Sequence, residues 1–416
     1  MAGGLESSRG ATLVIVVPER DTAGAVPPET VLLGLPLIRR AVLAAERAGF
    51  DHTLVLAEAD DGALGRALDG TWAARLGPGD SLPALPPGRL LILSATVLPS
   101  VAWLRSLRAA PAEAERIYVD APAGVPAVAL IETCRPEVVT AAFTKPGPIA
   151  AGLARLGPEF ETAPRRLRDT GVFELWSAAD LPGAEAWLLA RLVKETDGFM
   201  ARHVDRRISL ALSRRLASTR LTPTGMTLLH VGVGLCGAGF FLSSRPSAQF
   251  AGAALILLHS ILDGCDGELA RLKFQESRRG GILDFWGDNV VHAVMFACMA
   301  MGLSHAQQAS WPLLVGAVAI LGTLASASLV YRETMRRPRE GPIFTSVSSG
   351  PETPVSRMAD AVARRDFLYL VLVLAALGKA SWFVVLGAIG APTFFLVLLG
   401  LSRAGRRRAV GTGSRG

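Results

Sequence analysis

The chain has 416 residues, half of them hydrophobic, with 43 Lys+Arg against 36 Asp+Glu and a formal net charge of +7; its mean hydropathy of +0.37 is too high for an ordinary soluble protein, and its length allows two or three domains. The Arg residues are dispersed and accompanied only by isolated aromatics such as Tyr118, which sets aside a nucleic-acid platform. The four cysteines, Cys134, Cys236, Cys265 and Cys298, form no CxxC pair, so neither a zinc site nor a disulfide framework is indicated.

The N-terminal MAGGLESSRG has no apolar signal core, so the first domain is expected to stay in the cytoplasm. Up to residue 195, short apolar runs alternate with helix-like stretches. The expected strands are Leu13–Val17, Thr53–Ala57, Leu90–Ser94, Arg116–Val119, Ala127–Glu132 and Gly171–Leu175. The expected helices are Pro36–Ala48, Ser100–Arg108 and Ala184–Lys194. Strands alternating with helices predict an α/β layer with a mainly parallel sheet over 1–195. Pro/Gly clusters such as LGPGDSLPALPPG mark surface loops.

Residues 196–222 interleave Ile208, Leu210, Leu212 and Leu216 with Arg206, Arg207, Arg214, Arg215 and Arg220. This pattern predicts an amphipathic juxtamembrane helix on an anionic surface; a solvated linker helix is the plainer reading. Lys194, Asp197 and Gly198, just before it, either contact phosphate or start the helix.

From 223 to 402 the chain predicts an all-α membrane domain of six spans, at 224–242, 247–263, 282–303, 309–331, 366–381 and 382–401. Several are close to 17 residues, near the lower limit for ~30 Å of hydrocarbon. A basic tail, 403–416, follows. With the first domain inside, the loops at 264–281 and 332–365 and the tail lie on the cytoplasmic side. These carry most of the Arg residues, while the opposite loops show little more than Arg245 and Lys379. The positive-inside rule therefore predicts both termini in the cytoplasm.

Within this apolar region sits ILDGCDGELARLKFQESRRGGILDFWGDNVVH, with Asp263, Asp266, Asp284 and Asp288. An ionisable group in a membrane helix costs roughly 2.5–3.5 kcal/mol on insertion scales, so four acids need a reason. On a helix, Asp263, Asp266, Gly267 and Ala270 share one face, flanked by Arg271; Asp284 and Asp288 share a face of the next. Two antiparallel helices can bring the four together, and their repulsion calls for a cation. Oxygen-only ligands indicate Mg²⁺ or Mn²⁺ and not zinc, and such ions often serve phosphate chemistry. Interhelical polar contact without catalysis is the plainer alternative.

The spacing Asp263-x2-Asp266-Gly267-x2-Ala270-Arg271-x8-Gly280-x3-Asp284-x3-Asp288 resembles the complete signature of the CDP-alcohol phosphatidyltransferase family. The resemblance extends over about 223–402, because that family has six spans with the signature across the second and third. It implies an enzyme that moves a phosphoryl-alcohol from a CDP-alcohol to an acceptor hydroxyl and releases CMP. It implies that Asp263, Asp266 and Asp284 bind metal, with Asp288 as base and further ligand. Asp263, Gly267, Ala270, Arg271 and Gly280 match positions that hold the CDP moiety. The implied partners are the donor, the acceptor and the bilayer, with a homodimer left open and no nucleic acid. Arg332, Arg336, Arg337, Arg364 and Arg365 lie on the active-site side, where an acceptor or headgroup phosphate needs cations; positive-inside topology would place them there as well. His292, one turn beyond Asp288, reads as a packed interior histidine.

LLGLPLIRRAVLAAERAGF, residues 32–50, resembles the segment after the nucleotide-binding loop of sugar-nucleotide and cytidylyl transferases. With the membrane half, the chain is similar to bifunctional proteins that make CDP-inositol and then join it to inositol phosphate. KETDGFMARHVDRRIS and ARRDFLYL add to that likeness. The nucleotide loop departs from the pattern. VPERDTAGAVPPETV has Arg20 and Gly24 but no Gly-x-Gly and no Lys, which such loops use to cradle a triphosphate. After Leu90–Ser94 an acid is expected, and SATVLPS has none. Asp120 or Asp169 are the acids that could replace it. The first domain is expected to be degenerate, a module for a partner, a regulator or the acceptor; the alternative is a bifunctional enzyme that also makes the CDP-alcohol from CTP.

Overall fold

The computed structural model describes residues 10–17, 26–57, 62–77, 80–81, 83–121, 125–145, 147–193, 204–335 and 367–412. The chain divides into two compact units, Met1–Ala190 and Arg191–Gly416.

In the first unit the strands are β1 (Gly10–Val16), β2 (Val31–Leu32), β3 (Leu35–Pro36), β4 (His52–Leu56), β5 (Ala74–Leu76), β6 (Gly88–Ser94), β7 (Val97–Pro99), β8 (Arg116–Asp120), β9 (Val128–Thr133), β10 (Glu161–Pro164) and β11 (Val172–Glu174). The helices are α1 (Leu37–Ala48), α2 (Ala63–Leu68), α3 (Val101–Ala109), α4 (Pro136–Thr144), α5 (Ile149–Leu156) and α6 (Leu181–Ala190). The main sheet has seven strands in the order β10-β8-β9-β6-β1-β4-β5. It is mainly parallel, but β9 runs antiparallel to both β6 and β8. The expected strand at 171–175 forms as β11, and it pairs with β7 in a separate two-stranded sheet. The last helix of this unit starts three residues earlier than expected and ends at Ala190.

β1, β4 and β6 are buried nearly throughout, as their unbroken apolar sequences require of strands covered on both faces. Val14, Ile92, Ile131, Val139, Phe143 and Leu156 share one core. α1 closes on Gly49 at φ 87°, a left-handed position that glycine takes without a Cβ penalty. Arg40, 2% exposed, donates to the carbonyls of Leu32 and Leu33 and so fastens α1 to the turn between β2 and β3. Burial lowers its pKa to about 10, which leaves it charged at neutral pH.

The second unit is helical: α7 (Arg206–Ala217), α8 (Pro223–Gly239), α9 (Pro246–Leu272), α10 (Arg278–Gln307) and α11 (Trp311–Val330), then Phe367–Ala376 and Trp382–Thr412. Five helical stretches are long and apolar enough to cross a membrane: Pro223–Leu242, Pro246–Leu272, Arg278–Gln307, Trp311–Met335 and Trp382–Arg403. The remaining expected span corresponds to Phe367–Ala376, ten residues among those described and shorter than a crossing requires. The break after it falls at Leu377–Ser381, with Gly378 at φ 68°. The final helix does not stop at 402 but continues to Thr412, through a stretch whose four Arg favour helix and whose two Gly do not.

Small residues set the helix spacing. A Cβ on Gly237 of α8 would stand 3.0 Å from the Gly252 carbonyl of α9, and one on Gly252 would stand 2.8 Å from the Gly237 carbonyl. A Cβ on Gly287 of α10 would meet Val231 of α8 at 2.6 Å. Such contacts let backbones approach where no hydrophobic force drives helices together.

α7 turns Ser209, Ser213 and Ala217 inward against α9, while Ile208 is 42% exposed. Its packed face is therefore small and polar, and the apolar side chains that define its amphipathicity are not the ones it buries. The Arg206 guanidinium and the Ser209 hydroxyl both donate to Glu268 Oε1, each at 2.7 Å.

Candidate active site

α9 does not end where its apolar run ends. It continues through the DGCDGELARL segment to Leu272, so Asp263 and Asp266 stand on regular helix three residues apart. A five-residue connection, Lys273–Ser277, then reverses the chain into α10. Ser277 caps α10 by accepting from the Gly280 N–H at 3.0 Å. Lys273 Nζ donates to the carbonyls of Thr219 and Leu221, both at 2.8 Å, and so ties this turn to the α7–α8 link. Asp284 and Asp288 lie one turn apart on α10 and approach His230 of α8, with Asp288 also near His259 of α9.

Asp263, Asp284 and Asp288 each place a carboxylate oxygen, and His230 a ring nitrogen, within 4.8 Å of one another. His230 comes from α8 and is fully buried. Its Nε2 is 3.5 Å from Asp266 Oδ2 and 3.6 Å from Asp284 Oδ1. Asp266 stands beside this group and not within it: its Oδ2 accepts from the Thr227 hydroxyl at 2.6 Å. A second set adjoins the first. His259 Nε2 is 3.6 Å from Asp288 Oδ1, and His230, His259 and Asp288 also offer ligand atoms within 4.8 Å of one another.

The cluster is thus not oxygen-only, as the sequence suggested, because tertiary packing adds two imidazoles. His259 was legible, four residues before Asp263 and on the same helical face. His230 and Thr227 come from another helix, and no spacing announces them. His292 is not part of the cluster; its ring packs against Phe367 at 5.6 Å between centroids.

The remaining expected residues fall as follows. Arg271 extends over Gly267, where an added Cβ would stand 3.3 Å from the guanidinium. At Gly280 a Cβ would stand 3.0 Å from the Ser277 hydroxyl, so glycine there also serves the helix cap. Ala270 is half-buried on α9, one turn from Asp266. Arg332 is exposed in the π turn Tyr331–Met335 that ends α11. Arg336, Arg337, Arg364 and Arg365 lie outside the described residues, as do Arg20, Gly24, Lys194, Asp197 and Gly198.

In the first unit, the acids that could replace a strand-end carboxylate are engaged elsewhere. Asp120 Oδ2 accepts from the Leu167 and Arg168 backbone N–H groups at 2.7 and 2.8 Å, and Oδ1 from the Arg168 guanidinium at 2.9 Å. Burial pushes its carboxyl up, but the hydrogen bonds from Arg168 and Leu167 outweigh that and hold it below the usual range. Asp169 Oδ1 accepts from Gly171 N–H at 2.6 Å. At the end of β6, Ser94 and Thr96 pair hydroxyls at 2.8 Å, and no acid stands beside them in the strand-end sequence.

Residues 220–350 match the CDP-alcohol phosphatidyltransferase family. The chain is 32% identical over 156 residues to a bifunctional IPC transferase and DIPP synthase of Rubrobacter xylanophilus, covering 36% of this chain and 35% of that protein. It is 40% identical over 78 residues to a CDP-diacylglycerol–serine O-phosphatidyltransferase of Mycobacterium leprae, covering 19% of this chain and 25% of that one. The matched part thus spans about a third or less of the length of these curated relatives. Among solved structures, the phosphatidylinositol phosphate synthase of Mycobacterium tuberculosis with CDP-DAG bound aligns with 47% of this chain and 93% of its own at 19% identity, with a TM-score of 0.34.

Proposed function

We propose that this protein is an integral-membrane transferase that moves a phosphoryl-alcohol from a CDP-alcohol to an acceptor hydroxyl and releases CMP. The carrying observation is the convergence of Asp263, Asp284 and Asp288 with His230 inside 4.8 Å, within the segment that matches the family.

A divalent cation fits the donor set. Asp284 Oδ1 and His230 Nε2 are buried atoms with no hydrogen-bond partner among the described residues, and buried polar atoms of that kind call for an ion or a proton. Asp263, Asp284 and Asp288, with Asp266 beside them, would hold it; Mg²⁺ and Mn²⁺ are the candidates. When bound, it neutralises the diphosphate and the departing CMP.

The residues divide the remaining work. Gly267 leaves the backbone of α9 open to the donor, with Asp263, Ala270, Arg271 and Gly280 along the same CDP-binding surface. Asp288 takes the proton of the acceptor hydroxyl. The acceptor oxygen bonds to the phosphorus that carries the alcohol, and the bond from that phosphorus to CMP breaks, its electron pair leaving with CMP. Asp288 is suited to the proton because its side chain is 14% exposed against 32% for Asp284, deeper in the bundle and away from the water that solvates a diphosphate. Thr227 fixes Asp266 by its 2.6 Å hydrogen bond, which holds one carboxylate in place before any ligand arrives.

Both termini and the active site face the cytoplasm in this reading, because the Arg-rich loops share that side. The acceptor is a soluble polyol phosphate or a phospholipid precursor alcohol. Arg332, Arg336, Arg337, Arg364 and Arg365, read from the sequence as lying on the active-site side, would supply the cations that its phosphate needs. Residues 1–195 act as a binding module and not as a cytidylyltransferase, with 196–222 as the juxtamembrane helix and 403–416 as a basic tail.

The test is a product assay on the purified full chain in detergent, with a panel of CDP-alcohols, including CDP-inositol and CDP-diacylglycerol, against polyol phosphates and alcohols. CMP release that needs a divalent cation and one acceptor is the expected result. No release with any pair would overturn the reading.

A further inference from the structure

Lys273 follows the last residue of α9, and it does not use its charge as a lysine at a membrane surface usually does. Such a side chain normally extends its ammonium to water and lipid phosphates. Lys273 Nζ instead donates to two backbone carbonyls, those of Thr219 and Leu221, both at 2.8 Å. These carbonyls belong to the link between α7 and α8. Both sides of the contact are firmly held. At the end of α9, Gln275 N–H donates to the Ala270 carbonyl at 2.8 Å and Phe274 takes φ 55°, a left-handed closure that a bulky residue adopts at a cost. At the start of α8, Pro223 stands in the first turn and Thr222 accepts from Gly225 N–H at 3.1 Å. Whatever positions Leu221 therefore positions the helix behind it.

α8 enters the bundle where α9 leaves it. Thr227 lies six residues after Leu221, and Asp266 seven before Lys273, roughly 9 and 10.5 Å at 1.5 Å per residue. The two side chains reach the same depth and meet at 2.6 Å. His230, three residues deeper on α8, stands 3.5 Å from the same Asp266 Oδ2. Toward the far end of the seam, Gly237 and Gly252 bring the two backbones together without side chains that interlock, so that stretch offers little resistance to sliding. We propose that Lys273 is a positioning residue of the transferase: by pinning the α7–α8 link to the end of α9, it sets the depth of α8 along α9 and so brings Thr227 and His230 to the carboxylates. The inference rests on the reaction proposed above for its effect on turnover, and it gives Lys273 neither metal nor proton to hold. A slip of one residue's rise is about 1.5 Å, and a misplacement near 1 Å, even one caused far from the chemistry, can cost about 10²-fold in rate.

The experiment uses the full chain in detergent and has two arms. The first follows CMP release in the unmutated chain, Lys273→Met, Lys273→Arg, Thr227→Val and the double variant Lys273→Met with Thr227→Val. Lys273→Met, which keeps the length and loses the donors, is expected to lower kcat by about ten- to a hundredfold with little change in the KM of the CDP-alcohol. Lys273→Arg, which still donates to carbonyls, should restore most of it. The double variant should be no slower than the slower single one, because both act through one contact. An unchanged kcat, a loss confined to the KM of the donor, or losses that multiply in the double variant would overturn the inference. The second arm reads the helix pair directly, by pulsed dipolar electron paramagnetic resonance between nitroxides on Leu228→Cys of α8 and Phe250→Cys of α9. Both sites are exposed, 60% and 46%, and the exposed Cys134 and Cys236 are replaced by Ser. Lys273→Met should shift this distance by about 1.5 Å or more, and Lys273→Arg should not; an unshifted distance in Lys273→Met overturns the inference. If the unmutated chain releases no CMP with any pair of substrates, the proposed reaction falls and the distance alone decides the role of Lys273. Should Lys273→Met not fold, Lys273→Gln, which keeps a donor but lacks the reach, is read in the same two arms.

Discussion

Asp284 and Asp288 are one helical turn apart, about 6 Å by rise, and the site asks different things of them. Asp284 is the more exposed, and its Oδ1 faces His230 Nε2 at 3.6 Å; Asp288 meets both imidazoles. Asp284→Asn is expected to weaken cation and donor binding together. Asp288→Asn is expected to keep donor binding, because the other carboxylates remain, and to lower single-turnover rate by about 10²–10⁴, the range for a positioned proton acceptor. Calorimetric donor affinity beside single-turnover rate, for both variants, separates the roles. Equal loss of donor affinity would make Asp288 chiefly a ligand, with the proton leaving by another route. At this scale the acids were legible in the sequence, because helical periodicity turns their spacing into a shared face. Thr227 and His230 were not legible, because they reach the site from α8 through packing that only the small residues Gly234, Gly237 and Gly287 permit.

Between elements, the decisive contact is that of α7 with α9. Glu268 is fully buried, and its Oε1 accepts from both Arg206 and Ser209. It lies on the side of α9 away from Asp263 and Asp266, so the juxtamembrane helix grips the reverse of the helix that carries them. Removing one partner of a buried ion pair costs about 3–5 kcal/mol, because the other is left in a poor environment. Glu268→Ala should therefore lower the thermal midpoint of the full chain clearly. Arg206→Ala should lower it too, and the double variant should fall no further than the worse single one. Additive shifts in thermal denaturation in detergent would sink the idea of one coupled clasp. The sequence showed α7 as amphipathic but not which face packs, since Ser209, Ser213 and Ala217 look like filler between Arg and Leu. In the sheet, long apolar strands such as β1 and β6 were plain, while β5, β7 and β10, at three or four residues each, were too short to show a period. The reversal of β9 was hidden for another reason: alternation of strand and helix suggests crossovers, whereas β8 and β9 are joined by a short connection that turns the chain back. α4 was missed although Pro136 stands in its first turn with Glu137 behind it, a helix-start signal.

Across the whole chain, two units of different composition share one polypeptide, and among the described residues the assembled clusters of potential metal ligands lie in the second. Open α/β sheets bind ligands outside the carboxyl ends of their strands, where the order reverses. In this sheet the reversal lies between β1 and β6. The sequence there offers Ser94 and Thr96, which pair with each other. Asp120 is held by Arg168 and Leu167, and Asp169 by Gly171; freeing Asp120 would leave the Arg168 guanidinium, 15% exposed, with Glu174 as its remaining carboxylate partner among the described residues. A cytidylyl transfer needs cations and amides around a triphosphate and an acid to hold the metal. The loop VPERDTAGAVPPETV carries a single Arg and no Lys. The full chain, given CTP, a divalent cation and a panel of polyol phosphates, is therefore expected to release no pyrophosphate above the level of Asp120→Asn, a variant that should change the fold's stability and not a reaction. CMP release from a supplied CDP-alcohol in the same preparation shows that the protein is intact. Robust pyrophosphate release alongside it would mean that the first unit draws its phosphate-binding groups from the loop after β1, and that the two units make and then consume the same CDP-alcohol.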